Sequence, residues 1–279
     1  MKRSSSILVN KENIDSIAIG GFDGMHIAHQ ELFNNLSQNG AIISIETGYA
    51  SLTPKNYRQE YSKFPIFYYD LQNIKELNGI EFIKLLKSDF KNLKKIVVGF
   101  DFCFGKNRAC KVDDLKKVFD GDVVIISEIK LDNFPVHSRY IREFLLNGQI
   151  EQANRFLGKE YKIYGKHIIG QGIGKKEFVA TINLSIDEFL LPQNGVYITK
   201  TIVDDCEYNS ISFLGHRQTT DGNFAVETHI LNVDNLKVKD NIVQIKFIKQ
   251  IRENKKFDSF LELKNEILND INIAKKYFY

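Results

Sequence analysis

Cysteine is scarce in this sequence, and its few thiols exclude a disulfide framework. Cys103, Cys110 and Cys206 form no CxxC pair and have no metal-ligand spacing. An odd and sparse set of this kind is typical of reduced thiols inside the cell.

Long apolar runs and a strong net charge are also lacking. No run is long enough to cross a bilayer, and the apolar stretch near the start covers only residues 7–9, which is too short for a secretory signal. The net charge is +3 and the basic residues are scattered, which suits a protein that handles polyanionic small molecules. We therefore expect a cytoplasmic protein without a nucleic-acid or membrane partner, and at most weak self-association.

What the sequence does contain is an ordinary globular composition over 279 residues, with 43% hydrophobic and 26% charged residues. Its first half alternates strand-like and helix-like patterns, which favours a parallel sheet with crossover helices, a Rossmann-like α/β domain. The predicted strands cover residues 14–19, 41–45, 65–70, 95–99 and 122–126. The predicted helices cover residues 29–36, 79–90, 138–146 and 150–157.

After Gly158 the pattern changes to short strands separated by Gly, Asn and Asp, which predicts an antiparallel β-barrel. The strands are expected at residues 161–169, 178–184, 195–203, 210–214, 225–231 and 242–251. A helix with one apolar face is expected at residues 257–277. We therefore predict an α/β domain over residues 1–157 and a barrel with a C-terminal helix over residues 158–279.

A phosphate site is predicted where the first buried strand ends, in the segment GGFDGMHIAH of residues 20–29. Gly20 and Gly21 allow a sharp turn and close approach of a ligand. His26 and His29 share one face at the start of a helix, where imidazoles and the helix N-terminus can stabilise phosphate charge. The alternative is a plain strand–turn–helix with two incidental histidines, or half of a metal site.

Two further segments suit phosphate by their residue types. In residues 99–108 a buried strand leads into GFDFCFGKNR, where Lys106 and Arg108 supply positive charge. Residues 170–176 read GQGIGKK, and the backbone N–H groups of such a turn can cradle phosphates. Gly-rich hairpin turns are common, so this second segment alone is a weak signal.

Together these segments resemble the bacterial bifunctional riboflavin kinase/FAD synthetases. The first motif of that family, G-x-F-D-G-x-H-x-G-H, is matched except that Ala28 replaces a glycine. The resemblance implies an N-terminal nucleotidyltransferase domain and a C-terminal kinase barrel. It implies that His26 and His29 act in adenylyl transfer, and that ATP phosphates are bound by Gly20, Phe22, Asp23 and Gly24.

Residues 99–108 are similar to the family block G-x-D-F-x-F-G-x-x-R, which implies that Asp101 and Phe104 help form the nucleotide and flavin sites. Residues 136–142 keep Ser138, Ile141 and Arg142 of the family motif S-S-T-x-I-R, with Arg139 in place of the threonine. Ser138 and Arg142 are thereby implied as ATP ligands. The family block P-H-P, which contacts flavin, is missing from residues 44–54, SIETGYASLTP.

The barrel half carries the kinase motifs of the family. Residues 180–183 keep Thr181 and Asn183 of P-T-A-N, which implies that these two lie at the Mg²⁺–phosphate centre. Residues 224–231 resemble V-E-x-H-L-L, which implies that Glu227 is the catalytic base; by residue type alone it would be a surface carboxylate. Arg217, in a segment resembling G-x-R-P-T, is implied at the flavin site. The resemblance also implies that the glycine-rich turn binds ATP phosphate through Gly170, Gly172, Gly174 and Lys175.

The predicted function is FAD biosynthesis: ATP phosphorylates riboflavin to FMN, and a second ATP adenylylates FMN to FAD with release of pyrophosphate. Mg²⁺ is the expected cofactor, ATP the co-substrate, and FMN and FAD the product ligands. Two alternatives stay open. The chain could retain one activity, with the kinase favoured because the P-H-P block is missing, or it could be a non-catalytic flavin- or nucleotide-binding regulator.

Overall fold

A computed structural model describes residues 10–48, 51–168, 179–219, 221–233 and 236–279. The chain divides into two compact units, Met1–Ser138 and Arg139–Tyr279. The helices over residues 139–157 therefore belong to the second unit by packing. The functional domain boundary that we placed at residue 157 stays a prediction.

A parallel five-stranded sheet forms the centre of the first unit. The strands of this unit are β1 Ser16–Gly20, β2 Gly40–Glu46, β3 Ile66–Asp70, β4 Lys95–Gly99, β5 Cys103–Phe104, β6 Cys110–Lys111, β7 Asp122–Ile126, β8 Lys130–Leu131 and β9 Phe134–Pro135. The sheet has the order β3-β2-β1-β4-β7, while β5 pairs with β6 and β8 with β9 in two small hairpins. The predicted parallel sheet is confirmed, whereas both hairpins are absent from the sequence-based prediction.

Helices cover both faces of this sheet. They are α1 Ile27–Asn34, α2 Leu71–Ile74, α3 Gly79–Asp89 and α4 Val112–Val118, with 3-10 turns at Lys11–Asn13, Lys55–Tyr61 and Lys106–Arg108. On one face Ile17 and Ile19 of β1 pack in a core with Phe82 and Leu86 of α3. On the other face Ala18 joins a second core with α1. Burial on both sides explains why the strands of a parallel sheet are apolar throughout.

The second unit is a closed antiparallel barrel with helices before and after it, which confirms the predicted architecture. Its strands are β10 Tyr161–Ile168, β11 Ile182–Ser185, β12 Gly195–Val203, β13 Cys206–His216, β14 Phe224–Ile230 and β15 Ile242–Glu253, in the order β10-β11-β14-β13-β12-β15. The helices are α5 Ser138–Leu146, α6 Ile150–Leu157 and α7 Phe260–Phe278. Gly158 ends α6 in the left-handed conformation (φ 72°), as a C-terminal glycine commonly does.

The two faces of the barrel wall carry different chemistry. A buried hydroxyl cluster links strands β12, β13 and β14, and its members, which lie 2.8–2.9 Å apart, are Thr199, Thr201, Ser210, Ser212 and Thr228. On the opposite face Val196, Ile198 and Ile211 pack with Ile271 and Ala274 of α7. Because side chains alternate along a strand, Glu227 points away from the hydroxyl cluster that contains Thr228.

No helix in the described ranges is long and apolar enough to span a membrane.

Candidate active sites

The loop between β1 and α1, residues 21–26, is wound tightly at the carboxyl edge of the parallel sheet. Phe22 (φ 48°), Met25 (φ 46°) and Gly24 (φ 86°) adopt left-handed conformations, which are costly for the two residues that are not glycine. Burial of both side chains holds them there. A Cβ on Gly20 would lie 3.0 Å from the Phe22 ring, closer than an ordinary van der Waals contact, so any larger residue would push the ring away. The strained turn directs the start of α1 to the edge where ligands collect in α/β sheets.

The two predicted catalytic histidines meet at the start of α1. His26 is the N-cap residue of the helix, and its ring stacks on that of His29 with 3.5 Å between centroids and 19° between planes. The Phe22 ring meets His29 edge-on at 5.1 Å. The structure thus brings Phe22, His26 and His29 together beside the helix N-terminus, whose partial positive charge favours anions.

The Asp23 carboxylate binds backbone N–H groups of a neighbouring loop. It accepts hydrogen bonds from the backbone N–H groups of Leu52 (3.0 Å) and Thr53 (2.9 Å), and Ser51 adds a longer one at 3.3 Å. Ser138 donates from Oγ to the Asp23 carbonyl at 2.7 Å. Both predicted residues therefore hold the β1–α1 loop in place, and their direct contact with ATP stays a prediction.

Arg58 is the residue at this edge that sequence reasoning missed. It is fully buried, forms an ion pair with Glu46 at the end of β2, and donates to Ser44 Oγ at 2.5 Å and to the Thr53 carbonyl at 3.1 Å. Nothing in the sequence marks Arg58, because its partners are brought together by the fold and arginine is mostly exposed.

The segment after β4, residues 100–108, contains both exposed and buried side chains. Asp101 and Arg108 are exposed, and Lys106 pairs with Glu76 at 2.8 Å. The Phe104 ring is buried, stacked on Phe102 with 5.6 Å between centroids. Asp101 and Arg108 are thus accessible to a ligand, whereas Phe104 belongs to the core between the sheet and α3. The flavin contacts of Asp101 and Phe104 and the phosphate contacts of Lys106 and Arg108 stay predictions.

Arg142 lies half-buried on α5 in the second unit. Its predicted contact with ATP phosphate stays a prediction.

The second candidate site lies on the outer face of the barrel, where Asn183 of β11 pairs directly with Glu227 of β14. Directly paired residues on neighbouring strands place their side chains on the same face about 5 Å apart at Cβ. Thr181 directly precedes β11. The structure brings Asn183 and Glu227 together, and the position of Thr181 at the Mg²⁺–phosphate centre stays a prediction.

Arg217 and Asp221 set the electrostatics of Glu227. The Glu227 side chain is only 20% exposed, and Arg217 approaches its Oε1 at 3.3 Å while also reaching Asp221 at 3.3 Å. Burial raises the pKa of the Glu227 carboxyl above its usual range, the Arg217 charge lowers that pKa, and Asp221 raises it further. A carboxylate with a raised pKa is a better proton acceptor than a fully solvated one.

His229 connects the strand of Glu227 to the segment that carries Thr181. Its Nδ1 lies 2.8 Å from the Ala180 carbonyl, so the ring donates there. The sequence pattern assigns no separate role to His229. The predicted phosphate residues Gly170, Gly172, Gly174 and Lys175 lie outside the described residues.

Within the described ranges, no group of three or more His, Cys, Asp or Glu side chains is arranged to hold a metal ion. The barrel site instead combines a hydroxyl, an amide and a carboxylate.

Comparison with known proteins finds two families that match different parts of the chain. The family described as FAD synthetase matches residues 65–140, and the family described as riboflavin kinase matches residues 157–278.

Similar proteins extend the likeness over nearly the whole chain. The bifunctional riboflavin kinase/FMN adenylyltransferase of Buchnera aphidicola subsp. Acyrthosiphon pisum is 28% identical over 94% of this chain and 93% of that protein. The protein of the same name from Bacillus subtilis is 26% identical over 97% of this chain and 95% of its own length. A crystal structure titled macrolide-efflux protein, from Streptococcus pneumoniae, superposes with a TM-score of 0.81 at 25% identity, covering 95% of this chain and 97% of that one. The chain therefore belongs to the family of bifunctional riboflavin kinase/FMN adenylyltransferases.

Proposed function

We infer that this protein makes FMN and FAD in two ATP-dependent steps, phosphorylation of riboflavin in the barrel unit and adenylylation of FMN in the α/β unit. The observation that carries the inference is the pairing of a largely buried Glu227, with its side chain 20% exposed, with Asn183 on the barrel wall. The other unit places His26 and His29 together at a strained strand end. Each site has groups suited to one of the two reactions.

In the kinase step we propose that Glu227 accepts the proton of the riboflavin 5′-hydroxyl while the hydroxyl oxygen forms a bond to the γ-phosphorus of ATP. The bond from that phosphorus to the bridging oxygen breaks, and ADP leaves. Burial helps because it raises the proton affinity of the carboxylate. Arg217 contacts Glu227 at 3.3 Å, and its charge lowers the pKa of the carboxyl and so favours the ionised form that acts as a base.

We propose that Mg²⁺ is bound by Thr181 and Asn183. A hydroxyl and an amide oxygen beside a carboxylate are the hard oxygen donors that Mg²⁺ prefers, so these residues fit the ion. When bound, Mg²⁺ would neutralise phosphate charge during transfer. The His229 hydrogen bond to Ala180 would hold the Thr181 segment against β14.

In the adenylyl-transfer step a phosphate oxygen of FMN attacks the α-phosphorus of ATP, and pyrophosphate leaves. We propose that His26 and His29 donate hydrogen bonds to the phosphate oxygens as charge builds on the α-phosphorus. Gly20, Phe22 and Gly24 shape the turn, while Asp23 and Ser138 hold it from behind. Lys106, Arg108 and Arg142 would add positive charge around the triphosphate.

Several finer points belong to the same proposal. We place flavin near Asp101 and Phe104 in the first site and near Arg217 in the second. The functional domains would divide at residue 157. The glycine-rich turn would bind the ATP of the kinase step through Gly170, Gly172, Gly174 and Lys175. The enzyme would work in the cytoplasm, with at most weak self-association.

The direct test is to incubate the purified protein with riboflavin, ATP and Mg²⁺ and to separate the flavins by chromatography. We expect FMN to accumulate first and FAD to follow. FMN without FAD would leave a kinase only, and flavin binding without turnover would identify a regulator.

A further inference from the structure

Arg58 is a fully buried cation in the α/β unit, and the proposed adenylyl-transfer step gives it no role. A buried charge is costly unless it is paired and hydrogen-bonded, so a buried arginine usually serves a specific arrangement. Arg58 meets that condition with Glu46, Ser44 and the Thr53 carbonyl as partners.

These partners connect Arg58 to the β1–α1 loop by a short path. Arg58 Nε donates to the Thr53 carbonyl at 3.1 Å, and the Thr53 N–H donates to the Asp23 carboxylate at 2.9 Å. Asp23 follows Phe22 and precedes Gly24, so it belongs to the turn that places His26. Arg58 thus binds Thr53, and Thr53 together with Ser51 and Leu52 donates to the Asp23 carboxylate in the turn.

A second path runs through the sheet. Ser44 Oγ accepts from Arg58 and lies 2.8 Å from Glu46 Oε1 and 3.4 Å from the Gly21 carbonyl. Glu46 is the last residue of β2 and its side chain is 25% exposed, so it would present a negative charge near the polyphosphate site if it were unpaired. The buried guanidinium neutralises that carboxylate.

We propose that Arg58 is a positioning residue for ATP in adenylyl transfer: it holds residues 51–53 behind the β1–α1 loop and neutralises Glu46 at its edge. The proposal rests on the proposed adenylyl-transfer function of this unit. The planar guanidinium is suited to this task because it donates hydrogen bonds in several fixed directions at once. A lysine ammonium, a compact charge on a flexible stem, is less suited to it.

The test compares Arg58→Gln with Arg58→Lys. The matched control is Lys63→Gln, because Lys63 is an exposed cation close to Arg58 in the sequence. For Arg58→Gln we expect kcat/KM for ATP in FMN adenylylation to fall at least tenfold, mainly through KM for ATP, with KM for FMN changed less than twofold. Arg58→Lys should lose less, and Lys63→Gln should behave as wild type. Riboflavin kinase activity on the same chain reports that the preparation is folded and active.

Hydrogen exchange gives a readout that does not depend on turnover. In Arg58→Gln, or in Arg58→Lys if the first variant does not fold, the amides of Leu52 and Thr53 should exchange at least tenfold faster, while amides in the sheet core keep their protection. An unchanged KM for ATP in a folded variant, equal losses for both substrates, or unchanged exchange at residues 52–53 would each overturn the proposal. If wild-type protein did not adenylylate FMN, the proposed function would fail, and the exchange experiment would still decide the role of Arg58.

Discussion

At the scale of single residues, the position of Glu227 on the barrel wall decides how the kinase should respond to pH. Glu227 must be ionised to accept a proton, so activity falls as the pH drops below its pKa. Burial raises that pKa and Arg217 opposes the increase. The acidic limb of the kinase pH profile should therefore lie above the range of an ordinary glutamate.

Removing the charge of Arg217 should shift the acidic limb of the pH profile to still higher pH. In Arg217→Gln the opposing charge is lost, the pKa of Glu227 rises, and the acidic limb should shift upward by about one pH unit. Asp221→Asn should shift it downward, since Asp221 raises the pKa of Glu227. The measurement is kcat for riboflavin phosphorylation across pH at saturating substrates, and a limb that stays in place in both variants would contradict the role of Glu227 as base.

A second prediction at this scale concerns the hydrogen bond from His229 to Ala180. His229→Leu removes the donor and should lower kinase kcat/KM at least fivefold, since one neutral hydrogen bond contributes about 1 kcal/mol. His229→Asn places an amide N–H near the position of Nδ1 and should keep most of the activity. Steady-state kinetics of both variants separates the lost hydrogen bond from the lost ring, because equal loss in both would exclude the hydrogen bond as the cause.

At the scale of elements, α7 is held against the barrel by an ion pair as well as by apolar contacts. Arg252 of β15 contacts Asp270 of α7 at 2.8 Å, and the Asp270 side chain is only 3% exposed. Arg252→Leu would leave a nearly buried carboxylate without its partner and should destabilise the barrel unit by about 3 kcal/mol. Chemical unfolding measures this loss.

Two further variants make that prediction specific. The double variant Arg252→Leu/Asp270→Asn should recover part of the loss, because it leaves no unpaired charge. Lys255→Gln removes a more exposed pair with Glu266 and should change the free energy of unfolding by at most about 0.5 kcal/mol. If the double variant were no more stable than Arg252→Leu, the ion pair would not be the cause.

Sequence patterns predicted the long elements of this fold and missed the short ones. The apolar runs at β4 and β7 and the helical spacing of α5 and α6 coincide with the observed bounds. The hairpins β5–β6 and β8–β9 have strands of two residues each, too short to show a period. The helix α4 also escaped prediction.

The same limit applies to the candidate sites. Glycines, histidines and the glutamate on a strand are visible as residue types in a local pattern, and the register of β11 and β14 then brings Asn183 to Glu227. The contacts of Arg58 and of the Asp23 carboxylate join positions that are far apart in sequence, so no local pattern indicates them. The family resemblance implies Asp23 as a phosphate ligand, and the structure adds that its carboxylate accepts hydrogen bonds from backbone N–H groups.

At the scale of the whole molecule, the two proposed reactions use two chemically independent sites on one chain. The α/β unit and the barrel unit each have their own core, and the groups proposed for each reaction lie within one of them, apart from Arg142. A change confined to one site should therefore leave the other reaction intact. The two reactions should therefore be separable by single substitutions.

The variant Glu227→Gln tests this separation most directly, with riboflavin phosphorylation and adenylylation of added FMN measured on the same preparation. Glutamine keeps the size of the side chain and removes the base, so FMN formation should fall at least a hundredfold, in line with the usual contribution of general base catalysis of about 10²–10⁴. Adenylylation of added FMN should stay within twofold of wild type. Equal loss of both reactions in a folded variant, or full retention of FMN formation, would contradict the account.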